Sequence, residues 1–243
     1  EIGELSLADY TRLLSEKTKL VFVNHVSNTL GTINPIELII EKAHEKGAAV
    51  LIDGAQATSH LTPDFQKLNV DFYVTSAHKM CGPTGVGILY GKEKWLQELP
   101  PYQGGGEMIK EVSFEKTTYA DLPHKFEAGT PNIAGGIAFG AAVDYLNSIG
   151  LNDIAIYENE LLKYATKELL KIDGVKIYGT SSNKTAVISF NIDKIHPYDI
   201  GTIIDKLGVE VRTGQHCTQP IMDFYKISGT IRASFAFYNT KEE

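Results

Sequence analysis

The chain has 243 residues, 43% hydrophobic and 22% charged, enough for one large core or two modest ones. Its formal charge of −7 comes without a cluster of Lys and Arg, which argues against a nucleic-acid partner, and no apolar run nears the roughly 20 residues that a membrane span needs. Two cysteines, Cys81 and Cys217, make neither a disulfide framework nor a Cys/His zinc motif, so no metal is expected and a reducing, cytoplasmic setting is.

Residues 1–20 read as the tail of a helix, and their acidic start is unlike a signal peptide. Leu20–Val23 reads as an interior strand. Pro35–Lys46 carries Ile36, Ile39, Ile40 and Ala43 at helical spacing, and Gly47 stops it. Ala48–Ile52 is a second buried run, Pro63–Leu68 a short helix, Asp71–Thr75 a third strand and Val86–Tyr90 a fourth. Strands alternating with helices predict an α/β fold, a mainly parallel sheet with helices on both faces. Ligands of such sheets sit beyond the carboxyl ends of the strands. The polar clusters Asn24-His25, Asp53-Gly54-Ala55-Gln56 and Ser76-Ala77-His78-Lys79 fall at those ends.

Residues 101–131 read as irregular. A helix is predicted from Ile133 to Asn147 and a longer one from Leu151 to Lys171. After them the pattern changes to short strands at Val175–Tyr178, Ala186–Asn191, Val209–Arg212 and Ile231–Phe235, with a helix at Pro197–Leu207. We therefore expect residues 1–150 to be part of a large domain, and residues 151–243 a linking helix and a small α+β C-terminal domain. The first strand comes early, and Asn239–Glu243 reads as a helix start without its helix, so a piece of a longer enzyme is expected.

Asp53 and Lys79 each follow a buried run, at two strand ends of one sheet edge. Asp53 alone could be a helix cap, and a lone lysine is usually a solvated charge. Together they fit a chemical need. Pyridoxal 5′-phosphate is held by a lysine as a Schiff base, while an acid keeps its ring nitrogen protonated. Desolvation at such a site makes a lysine amine nucleophilic.

The stretches Asn24-His25-Val26-Ser27-Asn28, Asp53-Gly54-Ala55-Gln56, Ser76–Gly85, Gln103–Ile109, Phe126–Pro131, Arg212–Cys217 and Arg232–Phe235 together resemble the fold-type I, class V aminotransferase family, in order and over nearly the whole chain. The resemblance implies that Lys79 bonds the cofactor, Asp53 pairs with its ring nitrogen and Gln56 with its ring hydroxyl. Ser76 and His78 would hold its phosphate, and Thr130 would reach the phosphate of a neighbouring subunit, which implies a homodimer.

Cys217 narrows the reaction. A free cysteine is commonly a small buried hydrophobe. Here Arg212 and His216 are close in sequence and would favour thiolate, and Gly214 and Pro220 suggest a turn. Arg-Thr-Gly-Gln-His-Cys resembles the active-site loop of group II (SufS-type) cysteine desulfurases. That resemblance implies attack by Cys217 on the sulfur of L-cysteine, a persulfide on Cys217, release of L-alanine, and a sulfur acceptor protein serving iron–sulfur cluster assembly. Arg232, helped by Asn28 and with Arg212 nearby, would hold the substrate α-carboxylate, which suits the planar guanidinium fork. Cys81 reads as packing. In relatives a region preceding the stretch matched here carries the histidine that stacks on the cofactor and a threonine that binds its phosphate, so neither is assigned in this sequence. Competing readings are a lyase acting on L-selenocysteine, another enzyme of the same family, and a non-enzymatic scaffold of this fold. A nicotinamide dehydrogenase would need a glycine fingerprint that is missing.

Overall fold

The computed structural model describes residues 2–243. Elements are numbered in chain order. Helix α1 (Leu7–Leu13), capped by Ser6, leads into strand β1 (Leu20–Asn24). Then follow α2 (Ile36–Glu45), β2 (Ala49–Asp53), α3 (Phe65–Leu68), β3 (Phe72–Ser76), β4 (Gly87–Gly91) and α4 (Glu93–Glu98). A hairpin of β5 (Ile109–Val112) and β6 (Thr117–Tyr119) precedes two long helices, α5 (Ile133–Ile149) and α6 (Leu151–Leu169), which break at Gly150 with φ of 97°. The chain ends with β7 (Val175–Tyr178), β8 (Val187–Ile192), α7 (Pro197–Asp205), β9 (Arg212–Gly214), α8 (Gln219–Tyr225) and β10 (Thr230–Ser234).

The first sheet runs β1-β2-β3-β4. Strands β1, β2 and β3 are parallel, and β4 returns antiparallel. Parallel neighbours need a crossover, and α2 supplies the first one. Its buried stripe of Ile36, Ile40 and Ala43 packs on Val50, Ile52 and Tyr73. Helix α5 contributes Phe139 and Ala142 to a second cluster with Ala77. This is the expected α/β class with a parallel-rich sheet.

The second sheet, β7-β8-β10-β9, is antiparallel throughout. Ile188, Phe190 and Ile231 pack there with Leu162 of α6 and Ile200 of α7. The segment after β1 brackets the two sheets together. Thr185 N–H donates to Gly31 O at 2.9 Å, and Ser189 Oγ to Thr29 O at 2.5 Å.

Some expectations need correcting. The strand expected at Val209–Arg212 begins only at Arg212, where antiparallel pairing with β10 starts. The irregular span 101–131 contains the β5–β6 hairpin, whose four Ile109–Val112 residues are all exposed and show no burial alternation. The short helices α4 and α8 escaped pattern reading because one or two turns carry too few periods.

Candidate active site

The lysine side is built from the ends of β2 and β3. Register puts Asn24 level with Asp53, and Asp53 level with Val74. Gly54 follows Asp53 because nothing larger fits: a Cβ there would lie 1.9 Å from the Tyr73 ring. Tyr73 is buried, and its hydroxyl meets His25 Nδ1 at 2.9 Å. Asp53 is exposed, and its Oδ1 accepts from the Ala55 amide at 2.9 Å. Past Ser76, a single 3₁₀ turn, Ala77–Lys79, delivers the lysine. Ser76 Oγ and His78 Nδ1 are hydrogen-bonded at 2.8 Å. Gly82 closes the turn against Ala77, whose carbonyl oxygen would be 2.8 Å from any Cβ added there.

The thiol side comes from β9 and β10. Arg212 and Arg232 are directly paired across these strands. Like charges in that arrangement oppose folding, which suggests a requirement other than stability. Among the described residues neither guanidinium has a carboxylate within ion-pairing distance. Arg232 Nη1 donates to Asn28 O at 2.6 Å, while its buried Nε has no partner. Burial first, and then the Arg212 charge, pull the Arg232 pKa below its ordinary value. Asn28 Nδ2 in turn donates to His216 O at 2.7 Å, fixing the loop that carries Cys217. His216 and Cys217 both have positive φ, 53° and 61°, a sparsely populated backbone region for such residues. Cys217 is exposed, with Arg212 Nη2 at 3.8 Å from its Sγ.

One cleft of about 580 Å³ joins the two sides. Lys79, Cys217, Arg212, Arg232, Asn28, Gln56 and His78 line it, so the amine and the thiol share a cavity although they stand 138 positions apart in sequence. Asp53, Ser76 and Thr130 do not line it. Thr130 sits on an exposed loop ahead of α5.

Three expectations about this site change. His216 does not act as a cation beside Cys217. Burial, and then the Arg232 charge, push its pKa down to about 4, and its Nε2 is bonded to Thr230 Oγ1 at 2.9 Å. Of the two residues expected to favour thiolate, only Arg212 is charged near neutral pH. Cys81 is not packing; it is exposed and lines the cleft. Asp53 follows a buried run, yet it is itself exposed at the strand end and not desolvated there.

Sequence reasoning passed over His60 and Glu158, which also line the cleft. No local pattern links residues 98 positions apart; an Asp/Glu on α6 reads as a solvated face until the fold buries it.

The profile of the aminotransferase class-V family matches residues 1–243. A protein of Enterobacter sp. strain 638 named cysteine desulfurase is 51% identical over 242 residues, covering 99% of this chain and 59% of its own length. One of Halalkalibacterium halodurans, named probable cysteine desulfurase, is 47% identical over 241 residues, with the same coverages of 99% and 59%. The chain therefore spans about three-fifths of the length of these relatives. Among solved structures, the apo cysteine desulfurase of Thermococcus onnurineus NA1 has a TM-score of 0.95 at 39% identity, over 99% of this chain and 60% of that one. The Escherichia coli cysteine desulfurase CsdA, in an S-sulfonic acid form, has a TM-score of 0.91 at 36% identity, over 95% of this chain and 57% of that one. With a profile match along the whole sequence and this likeness of fold, the chain belongs to the aminotransferase class-V family.

Proposed function

We propose that the full-length protein is a pyridoxal-phosphate-dependent cysteine desulfurase of the group II type. The observation that carries the reading is one cleft lined by an amine, an exposed thiol and two arginines without a carboxylate partner among the described residues. The names of the relatives support the same reaction.

The residues fit the cofactor. A lysine amine lies at the end of a parallel strand, beside a hydroxyl–imidazole pair able to donate to a phosphate and a carboxylate with room for a further bond. Lys79 would hold it covalently, Asp53 and Gln56 would engage its ring, and Ser76 and His78 its phosphate. Thr130 lies outside this cleft on an exposed loop, which suits the proposed contact with a partner's cofactor in a homodimer. When bound, the cofactor supplies an electron-withdrawing ring that stabilises negative charge at the substrate Cα.

The chain's own residues then have separate tasks. Arg232 and Arg212, with Asn28, orient the α-carboxylate of L-cysteine through charge-assisted hydrogen bonds. The Lys79 amine moves the proton at Cα. Cys217, as thiolate, attacks the substrate sulfur; an S–S bond forms on Cys217 as the substrate Cβ–S bond breaks. The electron pair left on the substrate carbon takes up the proton from the substrate thiol. Thiolate plus cysteine thus become persulfide anion plus L-alanine, with atoms and charge conserved. The exposed Cys217 leaves the persulfide within reach of a sulfur acceptor protein, and the use we assign to that sulfur is iron–sulfur cluster assembly. We assign the work to the cytoplasm; among the described residues no helix is long and apolar enough to cross a membrane.

The test uses the full-length protein. L-Cysteine should yield alanine and an equal amount of sulfane sulfur mapped to Cys217. Cys217→Ser should abolish turnover of cysteine, and borohydride should fix the cofactor to Lys79. Full activity of Cys217→Ser on L-cysteine would overturn the persulfide step. Substantially faster turnover of L-selenocysteine that survives Cys217→Ser would make the protein a selenocysteine lyase.

A further inference from the structure

His60 and Glu158 form the one imidazole–carboxyl pair among the described residues lining the cleft. His60 Nδ1 lies 2.5 Å from Glu158 Oε2. The carboxylate comes from α6, and its side chain is only 4% exposed; the imidazole is 19% exposed. A carboxyl group this buried needs its partner, because a polar group left unsatisfied in such a place is costly. None of the steps above uses the pair.

The location of His60 gives the pair its meaning. From Asp53 the chain turns at once, with little slack. Ala57 N–H donates to Gly54 O at 2.8 Å and Thr58 N–H to the same oxygen at 3.1 Å. His60 N–H and Leu61 N–H both donate to Ala57 O, at 2.9 and 2.8 Å. The Thr58 hydroxyl is bonded to that of Thr75 on β3. Gln56 sits inside this run and Asp53 at its root. The turn is thus tied to the sheet on one side by Thr58. On the other side its end is tied to α6 by His60.

We propose that Glu158 and His60 are a positioning pair. By holding the end of the turn Gly54–Leu61 against α6, they set the orientation of Gln56 and Asp53 toward the cofactor. The role assigned to those two residues rests on the function proposed above. The hold on the turn does not. The pair also links the helix before the second sheet to the loop that follows β2, so a shift of α6 is transmitted to the cofactor side of the cleft.

The test compares full-length wild type with Glu158→Gln, which removes the charge but keeps the shape, and with His60→Gln. Leu169→Ala is the control. Leu169 packs on the second-sheet core from the last turn of the same helix, about three turns from Glu158, so its loss weakens α6 away from the pair. In apo protein, hydrogen exchange should show the amides of Thr58, His60 and Leu61 opening faster in both Gln variants and unchanged in the control. In holoenzyme, both variants should shift the pH titration of the cofactor's absorbance, release it faster and lose about tenfold or more in kcat. The control should lower only the melting temperature. If wild type and both variants exchange alike over residues 54–61, the positioning role is wrong. If the turn loosens but cofactor spectrum and retention stay those of wild type, the link to Gln56 and Asp53 is wrong. If wild type itself retains no cofactor while the turn still loosens in the variants, the proposed function falls and the pair's hold on the turn stands. Should Glu158→Gln fail to fold, His60→Gln, at a more exposed position, decides by the same readouts.

Discussion

Asp71 precedes β3, at the end of the sheet away from Lys79, and its side chain is 2% exposed. Burial by itself pushes its carboxyl pKa up. Hydrogen bonds from His44 Nε2 at 2.7 Å, Trp95 Nε1 at 2.8 Å, the Val50 amide at 2.9 Å and Lys92 Nζ at 3.1 Å outweigh that and bring it down to about 2. The ordinary value is 3.8, so the carboxylate favours the folded state by nearly two pKa units, or about 2 kcal/mol. The folded pKa lies below the unfolded one. The stabilisation is therefore complete above about pH 5 and drains away as pH falls through 4 toward 2. Asp71→Asn removes it and leaves donors facing an amide. We expect the variant to be less stable than wild type by about 2–3 kcal/mol at pH 7. The gap should narrow steadily below pH 4. Urea unfolding of both full-length proteins between pH 7 and pH 3, at one protein concentration, measures it. A gap that stays constant with pH would show that Asp71 acts through packing alone, and the charge argument would be refuted.

Three further outcomes follow from the geometry. Gly54→Ala should cost about 1–3 kcal/mol in thermal unfolding, since the new methyl must displace the Tyr73 ring. Arg232→Lys should raise KM for L-cysteine by roughly tenfold with a smaller effect on kcat, because a point charge replaces the two-pronged donor; an unchanged KM would remove Arg232 from carboxylate binding. Brief alkylation of native protein, read by peptide mapping, should label both Cys81 and Cys217, which are exposed in one cleft; protection of Cys81 alone would mean that the cleft is closed on the lysine side in the full-length protein.

Much of the fold was legible because its signals are local. The stripe Ile36, Ile39, Ile40 and Ala43 declares a helix, and the runs before Asp53 and Lys79 declare buried strands, from neighbours at most a few residues apart. The β5–β6 hairpin was not legible, since its exposed strand carries no alternation to read. The antiparallel turn of β4 was equally hidden: a buried run looks the same in either direction.

At the site the division is sharper. Residue chemistry follows from sequence alone: an amine after one strand, a thiol in a glycine-flanked turn, two arginines able to bind a carboxylate. Which of these meet is decided by the bracket of hydrogen bonds from Asn28, Thr29 and Gly31, which brings the second sheet to the carboxyl ends of the first. The fold also set protonation and exposure. It buried His216 and so kept it neutral, left Cys81 and Asp53 exposed, and buried Glu158 against His60. Charge state depends on solvent and on neighbours in space, and the order of residues along the chain fixes neither until the chain has folded.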